Sequence, residues 1–396
     1  MDNLETEFEN KCIDFNLIDG FSQLVVNELC DWANSEIYEP LGGKLIVETP
    51  LIDSVNAGAC VDSNNPLHPK IKIFMGMIRE IYRDSLTFPV YSERLANETS
   101  TFSNESWDAF KNASFKFNSG VPILIPDEVS DIGRPYISVW IEEIAEKNQG
   151  KDSVRLNAWV KSIAVRFQMF ELMIAWTFFH ELSHLIQRHY KLKDGIIHKV
   201  SFYEIEKSSG KADIDSQARE ILADIEGLDL TLKYMERSNM KSTKSLYLLL
   251  CAIGCMFNRF YAKSYEINLG SSVTTHPHPV LREEYIHRFI HQRAQTITPY
   301  VWERNIRDSL LLGYGYLTTR SSLAVGLYWA NKYNSFDGED YPDYMRSKFE
   351  VASCEGIEIQ GKLNDSILHQ LEKIKKMHLF VDIEQVSVLN RWLINP

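Results

Sequence analysis

The sequence predicts an α+β fold that is predominantly helical. Two short β-branched runs beside Gly or Pro, at Lys44–Glu48 and Val121–Ile125, are typical of strands, and both lie in the N-terminal part of the chain. Long segments after residue 155 instead carry apolar residues at helical spacing. A hydrophobic content of 44% over 396 residues is enough to bury a large core, so the chain is expected to fold rather than stay disordered.

The predicted elements divide the chain into three regions without a Gly/Ser/Pro-rich linker between them. Residues 1–155 are expected to be mixed α/β and to contribute the sheet, with a helix at Ile71–Arg83. Residues 156–299 are expected to form a helical core, with one or two helices over 155–190 and further helices beginning near Asp213 and Ser245. Residues 300–396 are expected to be helical, with a turn-rich break at Asp337–Pro342.

Charge and apolar patterning exclude several classes of protein. A net charge of −12 argues against a nucleic-acid or anionic-membrane binder, because both need clustered Lys and Arg. The most apolar stretches, 169–179 and 246–257, are shorter than the roughly 20 residues that span a bilayer. The acidic N-terminus has no apolar core of a secretory signal, and the scattered cysteines are typical of buried, reduced thiols. The sequence therefore predicts a cytoplasmic protein with no membrane or nucleic-acid partner.

The segment most informative about chemistry is His180-Glu181-x-x-His184, an HExxH motif inside a long apolar helix. Residues four apart project from one helical face, so both imidazoles can bind a single Zn²⁺. Glu181 follows the first histidine and is placed to take a proton from the water that the metal activates. A chance match on a solvated helix is disfavoured, because burying these three side chains without a metal or partners would be costly.

A catalytic zinc site needs a third protein ligand and an open fourth position. In metzincins that ligand is a histidine six residues after the second motif histidine, but here the position is Tyr190, and His189 is one residue out of register. The gluzincin alternative is a glutamate from a later helix, and Glu220 fits it, with Asp224 one turn further on to orient a ligand histidine. Three further candidates for the third ligand stay open, namely Asp224, Glu226 and His276.

A third motif, Thr275-His276-Pro277-His278-Pro279-Val280-Leu281-Arg282, holds two histidines between prolines that restrict the backbone. A His or Arg beside the metal can stabilise the oxyanion of a tetrahedral intermediate. Taken alone, the segment is also consistent with a loop that exposes its histidines before the next helix.

Together the three motifs, HELSH, EILAD and THPHPVLR, resemble those of gluzincin peptidases of the HtpX and CAAX-prenyl-endopeptidase type, over residues of about 165–290. Membrane-embedded members of that family have spanning helices that this chain lacks. The spacing also resembles that of cytosolic phage-exclusion proteases of the Lit type. The resemblance implies a zincin-like core, a role in antiviral defence, and the following site: ligands His180, His184 and Glu220, general base Glu181, and transition-state stabiliser His276 or Arg282.

The sequence therefore predicts a zinc-dependent endopeptidase that hydrolyses a protein or peptide substrate. A silent protease that an activating trigger protein switches on is a variant of this interpretation, with the region from Tyr300 onward as the sensor. The alternative is a non-catalytic or regulatory zinc-binding protein on a peptidase scaffold. The intact Glu181 counts against that alternative, because a purely structural zinc site does not need a general base.

Overall fold

A computed structural model describes residues 15–97, 153–192, 199–203, 213–240, 243–261, 269, 276–297, 304–332 and 343–379. The described chain is an α+β protein that is predominantly helical, as the sequence predicts. The predicted strand at 121–125 and the predicted break at 337–342 lie outside the described residues.

The helices in chain order are α1 (Phe15–Ala33), α2 (Met75–Asn97), α3 (Ser153–Ile186), α4 (Ile214–Arg237), α5 (Thr243–Tyr261), α6 (Pro279–Ile297), α7 (Arg304–Lys332), α8 (Asp343–Glu350) and α9 (Cys354–Lys375). The strands are β1 (Ile46–Glu48), β2 (Ala57–Asp62), β3 (Lys70–Ile73) and β4 (Lys199–Tyr203).

Two of the predicted helix boundaries are wrong. The segment predicted to begin a helix at Ile71 is the strand β3, and α2 starts only at Met75. The alternation in Lys70–Ile73, with both isoleucines buried and both lysines partly exposed, is the two-residue period of a strand. Between residues 153 and 190 there is one uninterrupted helix, which ends at Ile186, and Arg188 then adopts a left-handed backbone with φ of 53°.

The four described strands form one sheet in the order β1-β3-β2-β4. β1 and β3 are parallel, whereas β2 is antiparallel to both β3 and β4. One face of this sheet packs on α3, mainly through β2. The sheet therefore covers the helix that carries the HExxH motif, and β4 brings Phe202 to the C-terminal end of that helix.

Helix α3 is the centre of the core. From Val165 to Ile186 every side chain is buried, which confirms the prediction from its all-round apolar pattern. It is surrounded by α1, α2, α4, α5 and the sheet. The hydrophobic core of which it is part also includes Phe21 of α1 and Leu371 of α9, so it draws on all three predicted regions of the chain.

Helix α4 packs on α3 with a very close backbone approach. Its N-terminus is capped by Asp213, whose carboxylate accepts from the backbone N–H groups of Asp215 and Ser216. At Gly227 an added Cβ would lie 3.0 Å from both the Cα and the N of His180. Glu220, Asp224 and Gly227 are spaced to share one face of α4. The glycine therefore lets the face with the two acids come directly against the HExxH motif.

The C-terminal helix α9 packs along α4, and the chain after it reaches α3. The backbone N–H of Leu379 donates to the carbonyl of Ile186, the last residue of α3, at 2.9 Å. Among the described helices, none has both the length and the apolar character needed to cross a bilayer.

The close approach at Gly227 predicts that Gly227→Ala destabilises the protein by about 1–3 kcal/mol, because the new methyl group overpacks against the backbone of His180. Gly361→Ala is the control: in α9 nothing lies within 4 Å of an added Cβ, so helix propensity should stabilise that variant by up to about 1 kcal/mol. Urea denaturation of both variants measures the difference. Equal stabilisation by the two substitutions would contradict the close packing of α4 on α3.

Candidate metal centre

The two motif histidines face each other inside the protein. His180 and His184 are 1% and 2% exposed, and their Nε2 atoms lie 3.1 Å apart, one turn apart on α3. Trp176 packs beside the His180 ring with 5.3 Å between centroids, and Phe202 of β4 stacks on the His184 ring at 5.2 Å and 9°. These aromatic contacts hold both rings so that the Nε2 atoms converge.

Glu220 of α4 completes a cluster with the two histidines. Its Oε2 lies 3.5 Å from the Nε2 of His180 and 3.5 Å from the Nε2 of His184. Ligands that bind a tetrahedral Zn²⁺ at 2.0–2.1 Å are separated by about 3.3–3.4 Å, so these separations match the edges of such a site. His180, His184 and Glu220 are buried and can hold a metal ion between them.

The electrostatics of Glu220 are set by the imidazoles around it. Burial raises the pKa of its carboxyl, but His276, His184 and His180 together outweigh that effect and hold the pKa well below its usual range. Glu220 is therefore expected to be ionised, as a metal-binding carboxylate must be.

Asp224, Glu226 and His276, which the sequence also allows as third ligand, make different contacts. Asp224 faces the far side of the His180 ring, and Glu226 accepts a hydrogen bond from the side-chain amide of Gln187 at 2.6 Å. His276 is near the cluster, with its Nε2 3.4 Å from Oε2 of Glu220 and 8% of its surface exposed. That position at the edge of the cluster suits a group that acts on a bound substrate.

Asp224 links His180 to helix α6. Its Oδ1 lies 2.9 Å from Nδ1 of His180, close enough to hold the ring by charge, although the ring N–H is not aligned for an ordinary hydrogen bond. Arg282 donates to both carboxylate oxygens, through Nε at 2.8 Å and Nη2 at 2.7 Å. Asp224 and Arg282 are 0% and 1% exposed, so their charges compensate each other in the interior.

Arg282 contacts the same carboxylate of Asp224 that faces His180. Its guanidinium group is bound to Asp224 and lies over the ring of Phe257, 4.4 Å from the centroid. From there it is connected to the cluster through Asp224, which lies beside His180, and the role of transition-state stabiliser that the family resemblance implies stays a prediction.

The side chain and the backbone carbonyl of His278 both accept hydrogen bonds at the start of α6. Its Nδ1 accepts from the backbone N–H of Val280 at 3.2 Å, and its carbonyl accepts from Leu281 and Arg282. It therefore caps the helix, with Pro279 at the first helical position, where the missing N–H costs nothing. Of the two histidines in this segment, His276 is the one that the structure places beside Glu220.

Glu181, the expected general base, is 1% exposed and lies on α3 directly after His180. Its place directly after a candidate ligand is the usual position of the general base in an HExxH motif.

Sequence reasoning missed the partners of His184. Its Nδ1 lies 2.8 Å from Nδ1 of His189, a residue considered only as a metzincin-type ligand. Burial and the neighbouring His184 hold the pKa of His189 well below its usual range, so its ring is neutral. Gln187 and His378 continue these contacts. The polar residues Gln187 and His189 just after the motif are the only signal of these contacts in the sequence, and nothing local indicates His378.

Comparison of the whole chain with protein-family models, curated proteins and solved structures finds no match in any of the three.

The buried Asp224–Arg282 pair predicts an unequal response to single and double substitution. Arg282→Met should destabilise the protein by about 3–5 kcal/mol, because the charge of Asp224 is left buried without its partner. Replacing both groups, as Asp224→Leu with Arg282→Met, should recover most of that loss. Chemical denaturation of the parent, the single variant and the double variant measures the free energy of unfolding of each. A double variant no more stable than Arg282→Met would contradict charge compensation within the pair.

Proposed function

We propose that this protein is a zinc-dependent endopeptidase of the gluzincin type that hydrolyses a protein or peptide substrate. The observation that carries the proposal is the convergence of one carboxylate oxygen and two imidazole nitrogens, from His180, His184 and Glu220, in the protein interior. The HExxH helix, the small sheet that covers it and the glutamate-bearing helix α4 together support a zincin-like core.

The electrostatics of the cluster favour a cation within it. In the described part of the chain, Oε2 of Glu220 has no hydrogen-bond donor in ordinary geometry. The carboxylate of Asp224, 2.9 Å from Nδ1 of His180, favours the ring proton on that nitrogen and leaves a lone pair on Nε2. A lone pair on Nε2 and the carboxylate oxygen 3.5 Å away can bind the same metal ion, and a bound cation would replace the imidazole protons that otherwise stabilise the ionised Glu220.

The set of donor atoms favours a transition-metal cation such as Zn²⁺ or Fe²⁺ over Mg²⁺ and Ca²⁺, and the HExxH motif favours zinc among them. Two imidazoles and one carboxylate suit Zn²⁺, whereas Mg²⁺ and Ca²⁺ prefer sites made of oxygen alone. Three protein ligands leave a fourth position open, which distinguishes a catalytic from a structural zinc site.

Each residue around the cluster has a separate role in the proposed peptide hydrolysis. A zinc ion held by His180, His184 and Glu220 would polarise the scissile carbonyl and lower the pKa of a coordinated water molecule. Glu181 accepts the proton of the attacking water and then delivers it to the leaving amine. His276, beside Glu220 and 8% exposed, donates to the developing oxyanion. Asp224 orients His180 throughout.

The alternative is a zinc-binding protein that does not catalyse hydrolysis. It has the same metal ligands, and the two interpretations differ only in the role they give to Glu181. A buried carboxylate has a solvation cost, and a purely structural zinc site gives it no use. The role in phage defence and the trigger protein stay predictions from the sequence. The described C-terminal helix α9 packs against α4, so a signal that displaced it would reach the helix that carries Glu220.

The proposal predicts that the purified protein binds one equivalent of zinc and that chelation removes it reversibly. At free zinc about 100-fold above the dissociation constant, the folded state should gain about 2.7 kcal/mol. His180→Ala and Glu220→Ala should each weaken zinc binding by at least about 100-fold, since each removes a ligand. His291→Ala is the control, because the His291 ring contacts Thr318 and not the cluster. This variant should bind zinc with the affinity of the parent. Elemental analysis and chelator competition give these values, and a parent protein without zinc affinity would refute the proposal.

A second prediction separates catalysis from metal binding. Glu181→Gln should keep the zinc and the fold but lower the rate of peptide hydrolysis by about 10²–10⁴-fold, because the amide cannot accept the proton. The measurement is terminal proteomics, in which new N-termini are labelled after the purified protein is incubated with a cell lysate. Glu372→Gln, an exposed glutamate on α9, is the matched control. Equal sets of new termini from the parent and Glu181→Gln would refute the peptidase and leave the non-catalytic alternative.

A further inference from the structure

His184 begins a chain of hydrogen bonds that runs through the interior to the C-terminal region. Its Nδ1 lies 2.8 Å from Nδ1 of His189, whose Nε2 lies 2.6 Å from Oε1 of Gln187. The amide nitrogen of Gln187 donates to Glu226 at 2.6 Å, and Nε2 of His378 lies 3.0 Å from the other oxygen of that carboxylate. All five residues are buried.

The directions of the hydrogen bonds made by Gln187, His189 and His184 follow from the contact of Gln187 with a backbone carbonyl. The Gln187 amide also contacts the backbone carbonyl of Leu222 at 3.0 Å. A carbonyl oxygen can only accept, so the amide atom that faces Leu222 and Glu226 must be the nitrogen. The amide oxygen therefore faces His189 and can only accept from it. The proton of the His189 ring accordingly lies on Nε2.

The inner end is then determined as well. A neutral imidazole has one N–H, and the complete burial of His189 favours the neutral ring. With its proton on Nε2, the Nδ1 of His189 can only accept. The proton between the two rings must therefore be on Nδ1 of His184. In the neutral ring, the form that binds a metal, this leaves a lone pair on Nε2 of His184, the atom that faces His180 and Glu220.

We propose that His189 and Gln187 are positioning residues that fix the tautomer and the orientation of His184 for metal binding, with Glu226 and His378 as the outer anchor. The inference rests on the proposed metal site. It gives the two ligand histidines different supports, because His180 is held directly by the carboxylate of Asp224, whereas His184 is held by a polar chain.

The outer anchor also connects the metal site to the end of the described chain. His378 follows α9, and the next residue, Leu379, donates its backbone N–H to the carbonyl of Ile186. Two adjacent residues of the C-terminal region, after α9, therefore contact both helices of the site. His378 contacts the carboxylate of Glu226 on α4, and Leu379 contacts the last turn of α3. The position of that region is thereby linked to the orientation of His184.

The test compares two substitutions of His189 in the full-length protein. His189→Phe keeps a ring but removes the acceptor, and should weaken zinc binding by about 10–100-fold. His189→Asn places an oxygen acceptor close to the position of Nδ1, and should bind within about threefold of the parent. His291→Phe is the control for the loss of a histidine ring elsewhere. Chelator competition gives the affinities, and the visible spectrum of the Co²⁺-substituted proteins reports the ligand geometry.

A second measurement uses the metal-free parent and does not depend on the folding of either His189 variant. The ¹⁵N chemical shifts of labelled histidines, with His184 assigned by its absence in His184→Gln, should show the Nδ1–H tautomer. The Nε2–H tautomer would overturn the inference, as would zinc affinity and a Co²⁺ spectrum unchanged in His189→Phe. Both of those results leave the proposed function standing. Absence of zinc binding by the parent would instead refute the proposed function, while the tautomer measurement would still decide the state of His184.

Discussion

The structure around the site depends on one constraint, the burial of the Glu220 carboxylate against two imidazoles from the neighbouring helix. The contact requires α4 to approach α3 so closely that Gly227 meets the backbone of His180. It also requires the rings to be held in place, by Trp176 on one side and Phe202 on the other. A metal cation held there, as proposed, would share the electron pairs of the two imidazoles and the carboxylate.

The remaining polar groups at the site can be understood as supports for that contact. On one side, Arg282 neutralises Asp224, which in turn faces His180. On the other side, the chain from His189 to His378 faces His184. The outermost groups of these supports, Arg282 and His378, come from α6 and from the segment after α9, both distant in sequence from α3. The apolar core around α3 supplies the low dielectric environment in which such oriented groups have their largest effect.

The sequence was informative where function depends on spacing within one helix. The four-residue separations in HExxH and in Glu220–Asp224 place each pair on one face, and the apolar pattern of α3 predicted its burial. The sequence could not show which groups meet across helices. His378 lies 152 residues from Glu226, and no local pattern reveals that contact. The partner of Arg282 and the capping role of His278 likewise follow from packing. Strand β3 was missed because its four residues are too few to outweigh the helical period of the segment that follows.

The most direct test of this account is X-ray absorption at the zinc edge of the purified, zinc-loaded protein. The account predicts a shell of nitrogen and oxygen atoms at about 2.0–2.1 Å, with the multiple-scattering signal of two imidazoles. It also predicts that Glu220→Ala changes this first shell while the imidazole signal remains. A shell that contains sulfur, or one with fewer than two imidazoles, would contradict a metal bound between α3 and α4.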